Sequence, residues 1–251
     1  RGKALINLLP LGQSETISTL MPLPEDEDSW GQFDAMFATA SGNIRRNSLS
    51  DFTNVRANGK IAMKLNSGDK LVGVSTCTSN DDILLCAAGG KVIRFPVKAV
   101  RVFSSRSSTG VRGIKLEKND HVIAMSVVSH VSVTTEERDY YLSAINARRR
   151  LQVGDYTNRK DDFKRDTELV SKLDEPRFLK MAEVEQFVLT LTEDGLGKRT
   201  SAYEYRTSGR GGQGVTGIDL TRAKSRSTCI VAAFTVLKTD QIVLVTDNGQ
   251  I

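Results

Sequence analysis

The sequence predicts an all-β protein of the radial, propeller-like kind, built from repeats of about four strands each. Two observations predict it. Turn glycines recur at the end of apolar runs, and a second motif recurs with the same period. The runs DAMFATASGNIRR, DILLCAAGGKVIR and QFVLTLTEDGLGKR reach their turns at Gly42, Gly90 and Gly195, and Ile242 to Val245 is closed by Asp247-Asn248-Gly249. Asn-Gly between apolar runs is a strong local hairpin signal, because both central residues of the tight turn need positive φ. These glycines are 48, 105 and 54 residues apart, as if about 50 residues were inserted into one copy. The second motif is Gly2-Lys3-Ala4-Leu5-Ile6-Asn7-Leu8, repeated at Gly59–Leu65, Gly110–Leu116 and Gly214–Leu220, with spacings of 57, 51 and 104. The long gap falls in the same copy. Two markers holding one period indicate a repeat architecture.

The elements follow in order. The repeats are expected at about 1–54, 58–104, 109–206 and 212–251, as one partial domain over 1–251. Strands are expected at Lys3–Leu8, Thr16–Leu23, Asp34–Thr39 and Asn43–Leu49 in the first copy. The second copy should hold Lys60–Leu65, Lys70–Thr76, Asp82–Ala88 and Lys91–Val97. Trp30, beside Phe33 and after the acidic loop 24–29, is expected to pack. The linker 101–108 is rich in Ser and Arg. The third copy leaves the strand pattern at about 129 and resumes it at Val184. The stretch 129–182 is charged, with short helical segments such as Glu136–Leu151 and Asp166–Leu173, and reads as a solvated insertion, helical or partly disordered, projecting from the surface. Four-stranded units of this period cannot bury their faces alone, so stacking around a centre supplies the core.

Composition bounds the function. The chain has 251 residues, 39% hydrophobic, 6% aromatic, with a net charge of +5 and an isoelectric point near 9.1. So few aromatics argue against stacking single-stranded bases as the main task. Cys77, Cys86 and Cys229 have no metal-ligand spacing, and their odd count suits a reducing, cytoplasmic setting. The sequence carries neither a signal peptide nor a long apolar span. Opening on Arg1-Gly2 and closing just past a turn, it is expected to be a piece of a larger protein.

Catalytic constellations are not found. His121 and His130 lack metal spacing. Tyr140, Tyr141, Tyr156, Tyr203 and Tyr205 lack activating neighbours and read as packing residues. Gly209, Gly211 and Gly214 fit G-x-G-x-x-G, but a strand follows where a dinucleotide site needs a helix. The stretch reads instead as a flexible loop whose Arg206 and Arg210 can approach a phosphate backbone. Sites for catalysis, cofactors and metals are all expected to be absent.

Arginine recurs with the repeat, four residues after each hairpin glycine, at Arg46, Arg94 and Arg199, preceded by Arg45 and Lys198 in two copies. One reading is edge protection of exposed final strands. The other is a basic rim along which a bent duplex is held by its phosphates. On that reading Arg45, Arg46, Arg94, Lys198, Arg199, Arg206 and Arg210 contact DNA.

The segments RGKALINLLPL, GKIAMKL, TGVRGIKL, GKVIRF and DGLGKRTSAYEY resemble the C-terminal domain of the bacterial DNA gyrase A protein, over essentially the whole chain. The resemblance implies a β-pinwheel whose neighbouring blades exchange strands, here as an incomplete ring. It implies a rim that wraps duplex DNA, nucleoid association, and partners in the rest of the gyrase A protein and in the gyrase B protein. It further implies that ATP and Mg are used elsewhere in the holoenzyme, an ATP-dependent type IIA topoisomerase that supercoils DNA negatively, and that the cleavage tyrosine lies outside this chain. The family's Gln-Arg-Arg-Gly-Gly-Arg/Lys-Gly heptapeptide is absent; Arg210–Gly214 resembles a degenerate copy. The related domain of topoisomerase IV is the near alternative. A propeller-type protein-interaction scaffold is the alternative of another class, and an enzyme with its site in a central channel is a third.

Overall fold

The computed structural model describes residues 4, 7–13, 15–56, 58–153, 160–173, 175–220, 228–243 and 245. The turn at Asp247-Asn248-Gly249, most of the marker at Gly2–Leu8, and Tyr156 lie outside them.

The described strands are β1 (Asp34–Thr39), β2 (Asn43–Ser48), β3 (Leu71–Cys77), β4 (Asp81–Ala87), β5 (Lys91–Pro96), β6 (Val111–Arg112), β7 (Val122–Ser129), β8 (Phe187–Thr192), β9 (Gly197–Ser201), β10 (Val215–Thr216) and β11 (Ile230–Val236). Three helices, α1 (Thr135–Val153), α2 (Lys160–Ser171) and α3 (Pro176–Glu183), fall between β7 and β8. The protein is all-β with a helical insertion.

The sheets exchange strands. The first runs β3-β1-β2-β6, the second β10-β5-β4-β7, and the third β11-β8-β9. The first two hairpins therefore sit between strands contributed by later repeats, the third is joined by one such strand, and β1 pairs antiparallel with both β2 and β3.

The two markers of the sequence are two halves of one contact. The Gly113 N–H donates to the carbonyl of turn residue Gly42 at 2.8 Å, and the Gly217 N–H donates to that of Gly90 at 2.9 Å. The neighbouring glycines lie flat against the paired strand. A Cβ on Gly110 would fall 2.2 Å from the Ile44 carbonyl oxygen, and one on Gly214 would fall 2.4 Å from that of Val92. No side chain fits at such separations.

Two expected strands are not strands. Thr16–Leu23 and Lys60–Leu65 have no regular pairing. The later copies of the Lys60–Leu65 marker pair with β2 and β5, and the described residues offer no hairpin strand for this copy.

Two compact units divide the chain. The first comprises Arg1–His130, Leu189–Lys198 and Tyr205–Phe234. Its core joins Met36, Ile44, Ile83, Leu85, Ile93 and Phe95 with Ile114 from the marker after β6. Trp30 packs with Phe37 and Leu49 and donates its indole N–H to the Pro24 carbonyl at 2.9 Å. Cys77 and Cys86 are buried here, and burial pushes both thiols up to about 12.

The second unit comprises Val131–Val188, Arg199–Glu204 and Thr235–Ile251. Its helices are longer than the sequence suggested and are not simply solvated. Tyr141, Ala144, Leu173, Phe178, Met181 and Tyr203 form a cluster of their own. Charged residues between these positions masked the apolar stripe. The Tyr203 hydroxyl donates to the Met181 carbonyl at 3.0 Å, which accounts for its polar end in an apolar site.

Candidate nucleic-acid interface

The recurring arginines occupy equivalent places, but two of the three are held in ion pairs, Arg94 buried and Arg46 partly so. Arg46 lies directly across from Met36 in the β1–β2 register, which puts it on the same sheet face as Asp34, two residues along. Its Nη2 is 2.7 Å from Asp34 Oδ2, and Nη1 also donates to the Val100 carbonyl at 3.2 Å. Arg94 repeats the geometry across from Leu84. Its Nε is 2.8 Å from Asp82 Oδ2, and the two side chains are 4% and 0% exposed. Asp82 also meets His130 Nδ1 at 2.9 Å. Chain returning from each blade covers these arginines. Arg46 bridges Val102 and Arg94 bridges Thr207; Phe103 N–H donates to the Arg46 carbonyl and Ser208 N–H to that of Arg94.

Arg45 is fully buried. Its Nε donates to Asn47 Oδ1 at 2.7 Å and its Nη1 to the Ser108 carbonyl at 2.6 Å. Its guanidinium and that of Arg101 both lie over the Phe103 ring, at 5.0 and 4.2 Å. Burial, with Arg101 adding to it, holds the Arg45 pKa below its ordinary value, while Asp51 opposes the shift. Arg45 and Arg94 are thus corrected from rim contacts to structural cations, while Arg46 is partly buried and engaged by Asp34. Guanidiniums as enclosed as those of Arg45 and Arg94 have little surface to offer a phosphate.

The remaining four expected residues are exposed. Arg199 keeps the repeat position but not its partner. The residue twelve before it is Phe187 where Asp34 and Asp82 stand in the earlier copies, and the guanidinium lies 4.8 Å from that ring. Lys198 Nζ reaches the Gly217 carbonyl at 3.2 Å. Arg206 lines a groove with Arg94, Ser208, Gly212 and Gln213. Arg210 is occupied by two backbone carbonyls, Ala99 at 2.9 Å and Arg112 at 3.0 Å. The glycine-rich loop holding it is followed by strand β10.

Periodic exposed cations do exist, one step away from where the sequence pattern pointed. Arg101 and Arg206 each stand immediately before a bridging residue, Val102 or Thr207, and both are exposed. Lys64 and Lys115 hold the same marker position, and both are exposed. Their backbones repeat as well. Lys64 N–H donates to the Ser108 carbonyl at 3.3 Å, and Lys115 N–H to that of Gly212 at 2.8 Å. Sequence reasoning passed over Arg101, Lys64 and Lys115. Lys64 and Lys115 were legible by aligning the marker copies, but the Arg101–Arg206 equivalence rests on bridges that only the fold displays. Among the described residues no cluster of His, Cys, Asp and Glu could hold a metal ion, and no helix is long and apolar enough to cross a membrane.

Comparison with known proteins points one way. The family described as DNA gyrase C-terminal domain, beta-propeller, matches residues 34–78, 81–129 and 186–222. The DNA gyrase A protein of Granulibacter bethesdensis is 47% identical across all of this chain, which covers 27% of that protein. The DNA gyrase A protein of Escherichia coli K12 is 32% identical over 99% of this chain and 22% of its own length. The chain thus spans about a quarter of the length of these relatives. Among solved structures, the C-terminal domain of DNA topoisomerase IV aligns with 94% of this chain and 55% of its own, at a TM-score of 0.63 and 15% identity. That likeness is one of fold alone, and the fold is the strand-exchanging β-pinwheel.

Proposed function

Because the chain belongs to the DNA gyrase C-terminal domain family, we propose that it binds double-stranded DNA irrespective of sequence and bends it along a basic edge, as the C-terminal part of a gyrase A protein. The observation that carries this reading is the repetition of exposed cations at matched places, Arg101 with Arg206 and Lys64 with Lys115. Cations set at a structural period meet phosphates set at a helical one. Such contacts position a duplex without reading its bases, and their energy comes from release of condensed counterions. Lys198 and Arg199 add exposed charge at the β8–β9 hairpin. Within a holoenzyme formed with the rest of the gyrase A protein and with the gyrase B protein, a bent segment would be presented to strand passage, in support of ATP-driven negative supercoiling.

The test pairs a titration with a topology assay. Arg101→Glu combined with Arg206→Glu should weaken binding equally across unrelated duplexes and lower the log–log salt slope by about 1.8, at roughly 0.9 per phosphate contact. Incubation with nicked circles followed by ligation should shift the linking number for the unaltered chain. An unchanged slope removes these residues from the interface. Binding without any linking-number shift would reduce the activity to adhesion.

A further inference from the structure

We propose that Arg210 fixes the angle between the first and second sheets, and through it the curvature of bound DNA, and does not act as a phosphate contact. The curvature half of this inference rests on the DNA-bending reading above; the latch half stands on the geometry alone.

Arg210 is exposed, on a glycine-rich loop, and carries charge, so its sequence context suggests a phosphate ligand. Its hydrogen bonds indicate otherwise. Nε donates to the Ala99 carbonyl at 2.9 Å and Nη1 to the Arg112 carbonyl at 3.0 Å. Ala99 closes the short helical turn Val97–Ala99 that follows β5, in the second sheet. Arg112 is the last residue of β6, the edge strand of the first sheet. One planar, rigid fork therefore ties the end of one blade to the edge of its neighbour. The backbone just after Arg210 reinforces the tie: Gly211 N–H donates to the Gly113 carbonyl at 2.6 Å and Lys115 N–H to the Gly212 carbonyl at 2.8 Å.

The preceding return loop carries the same device in simpler form. Arg106 Nη1 donates to the Asp51 carbonyl at 3.3 Å. Asp51 lies in the helical turn after β2, Leu49–Phe52, as Ala99 lies in the turn after β5. An arginine latching the return loop to the preceding turn is thus a repeated part of the architecture. At Arg210 it gains a second carbonyl on another sheet.

The consequence for DNA is mechanical. A duplex is stiff, and bending it requires cations held in a fixed frame. A hinge that yields between the sheets lets the protein straighten instead, without the loss of any phosphate contact. A lysine cannot replace the fork. Its single ammonium is a compact charge without the planar pair of donors, so Arg210→Lys keeps the charge and removes the latch.

The experiment compares the unaltered chain with Arg210→Lys and Arg210→Gln. Three quantities are measured: affinity and salt slope on a duplex too short to cross both sheets, linking-number change on nicked circles, and amide exchange at Gly211 and Lys115. The expected result is that both variants lose at least about half of the linking-number change, as a softened bend requires. Short-duplex affinity and slope stay at the unaltered values, and exchange at the two amides accelerates. Retention of the topology change by Arg210→Lys, with its loss in Arg210→Gln alongside about 0.9 of slope, would make Arg210 a phosphate contact and overturn the proposal. Exchange at the unaltered rate in both variants overturns it whatever the DNA does. A failure of the unaltered chain to shift the linking number overturns the DNA reading and the curvature claim together. Accelerated exchange in that case leaves the latch standing as a feature of the fold.

Discussion

Arg94 and Asp82 form an ion pair with almost no access to water, Nε to Oδ2 2.8 Å, the carboxylate side chain 0% exposed. The same pair recurs one repeat earlier as Arg46 and Asp34, and in the third copy an aromatic ring, Phe187, takes the place of the carboxylate. Asp82→Ala leaves a buried guanidinium uncompensated, which costs about 3–5 kcal/mol. Arg199→Ala removes an exposed cation over a ring, worth about 0.5–1 kcal/mol. Chemical denaturation of the two variants checks the order. Equal losses would mean that burial of the earlier pair does not matter to stability.

Gly214 meets two demands at once. Its φ is +73°, and a Cβ there would stand 2.4 Å from the Val92 carbonyl oxygen. Gly195 also has positive φ, +78°, but nothing lies within 4 Å of its Cβ position. Gly195→Ala should therefore cost only the conformational term, about 1–2 kcal/mol. Gly214→Ala adds displacement of β10 from β5, another ~1–3 kcal/mol of overpacking. Urea midpoints for the two variants would separate the terms; a milder effect at Gly214 than at Gly195 would contradict the close approach.

Asp69 links acid stability to the first hairpin. Its carboxylate accepts from the Ser41 N–H at 2.9 Å and from the Ser41 hydroxyl, and from the Lys70 N–H at 2.9 Å. Desolvation pushes its pKa up, but hydrogen bonds from Ser41, Thr39 and Lys70 together outweigh that and hold it below the ordinary 3.8. A depressed carboxylate stabilises the fold above its unfolded pKa and loses that contribution as pH falls through the folded value. The difference in thermal midpoint between the unaltered chain and Asp69→Ala should be full at neutral pH and shrink below pH 3.8. A gap of constant size down to strong acid would show that the ionised form contributes nothing.

The hairpins were legible because their signals are local. An apolar run, a turn glycine and a second run lie within a dozen residues, and β1, β2, β4 and β5 appear within a residue of their expected bounds. The insertion was legible only as helical. Its cluster around Tyr141 and Phe178 draws on residues scattered from α1 to beyond β9, and charge between them hid the pattern. The arginine period was real, but its meaning was not on the strand. Strand position places Arg46 and Arg94 on a face; whether that face is open depends on the return chain at Val102 and Thr207, more than fifty residues further on.

The amino-acid sequence by itself determined the period, the hairpins, the all-β class and the family resemblance, since each rests on short-range turn chemistry and on copies that can be aligned. Only the tertiary structure decided that the two markers touch, that Gly42 receives Gly113 and Gly90 receives Gly217, and which cations face water. Those outcomes depend on strands exchanged between repeats. A side chain is enclosed or exposed according to what a distant segment lays over it, and local pattern carries no record of that segment's path.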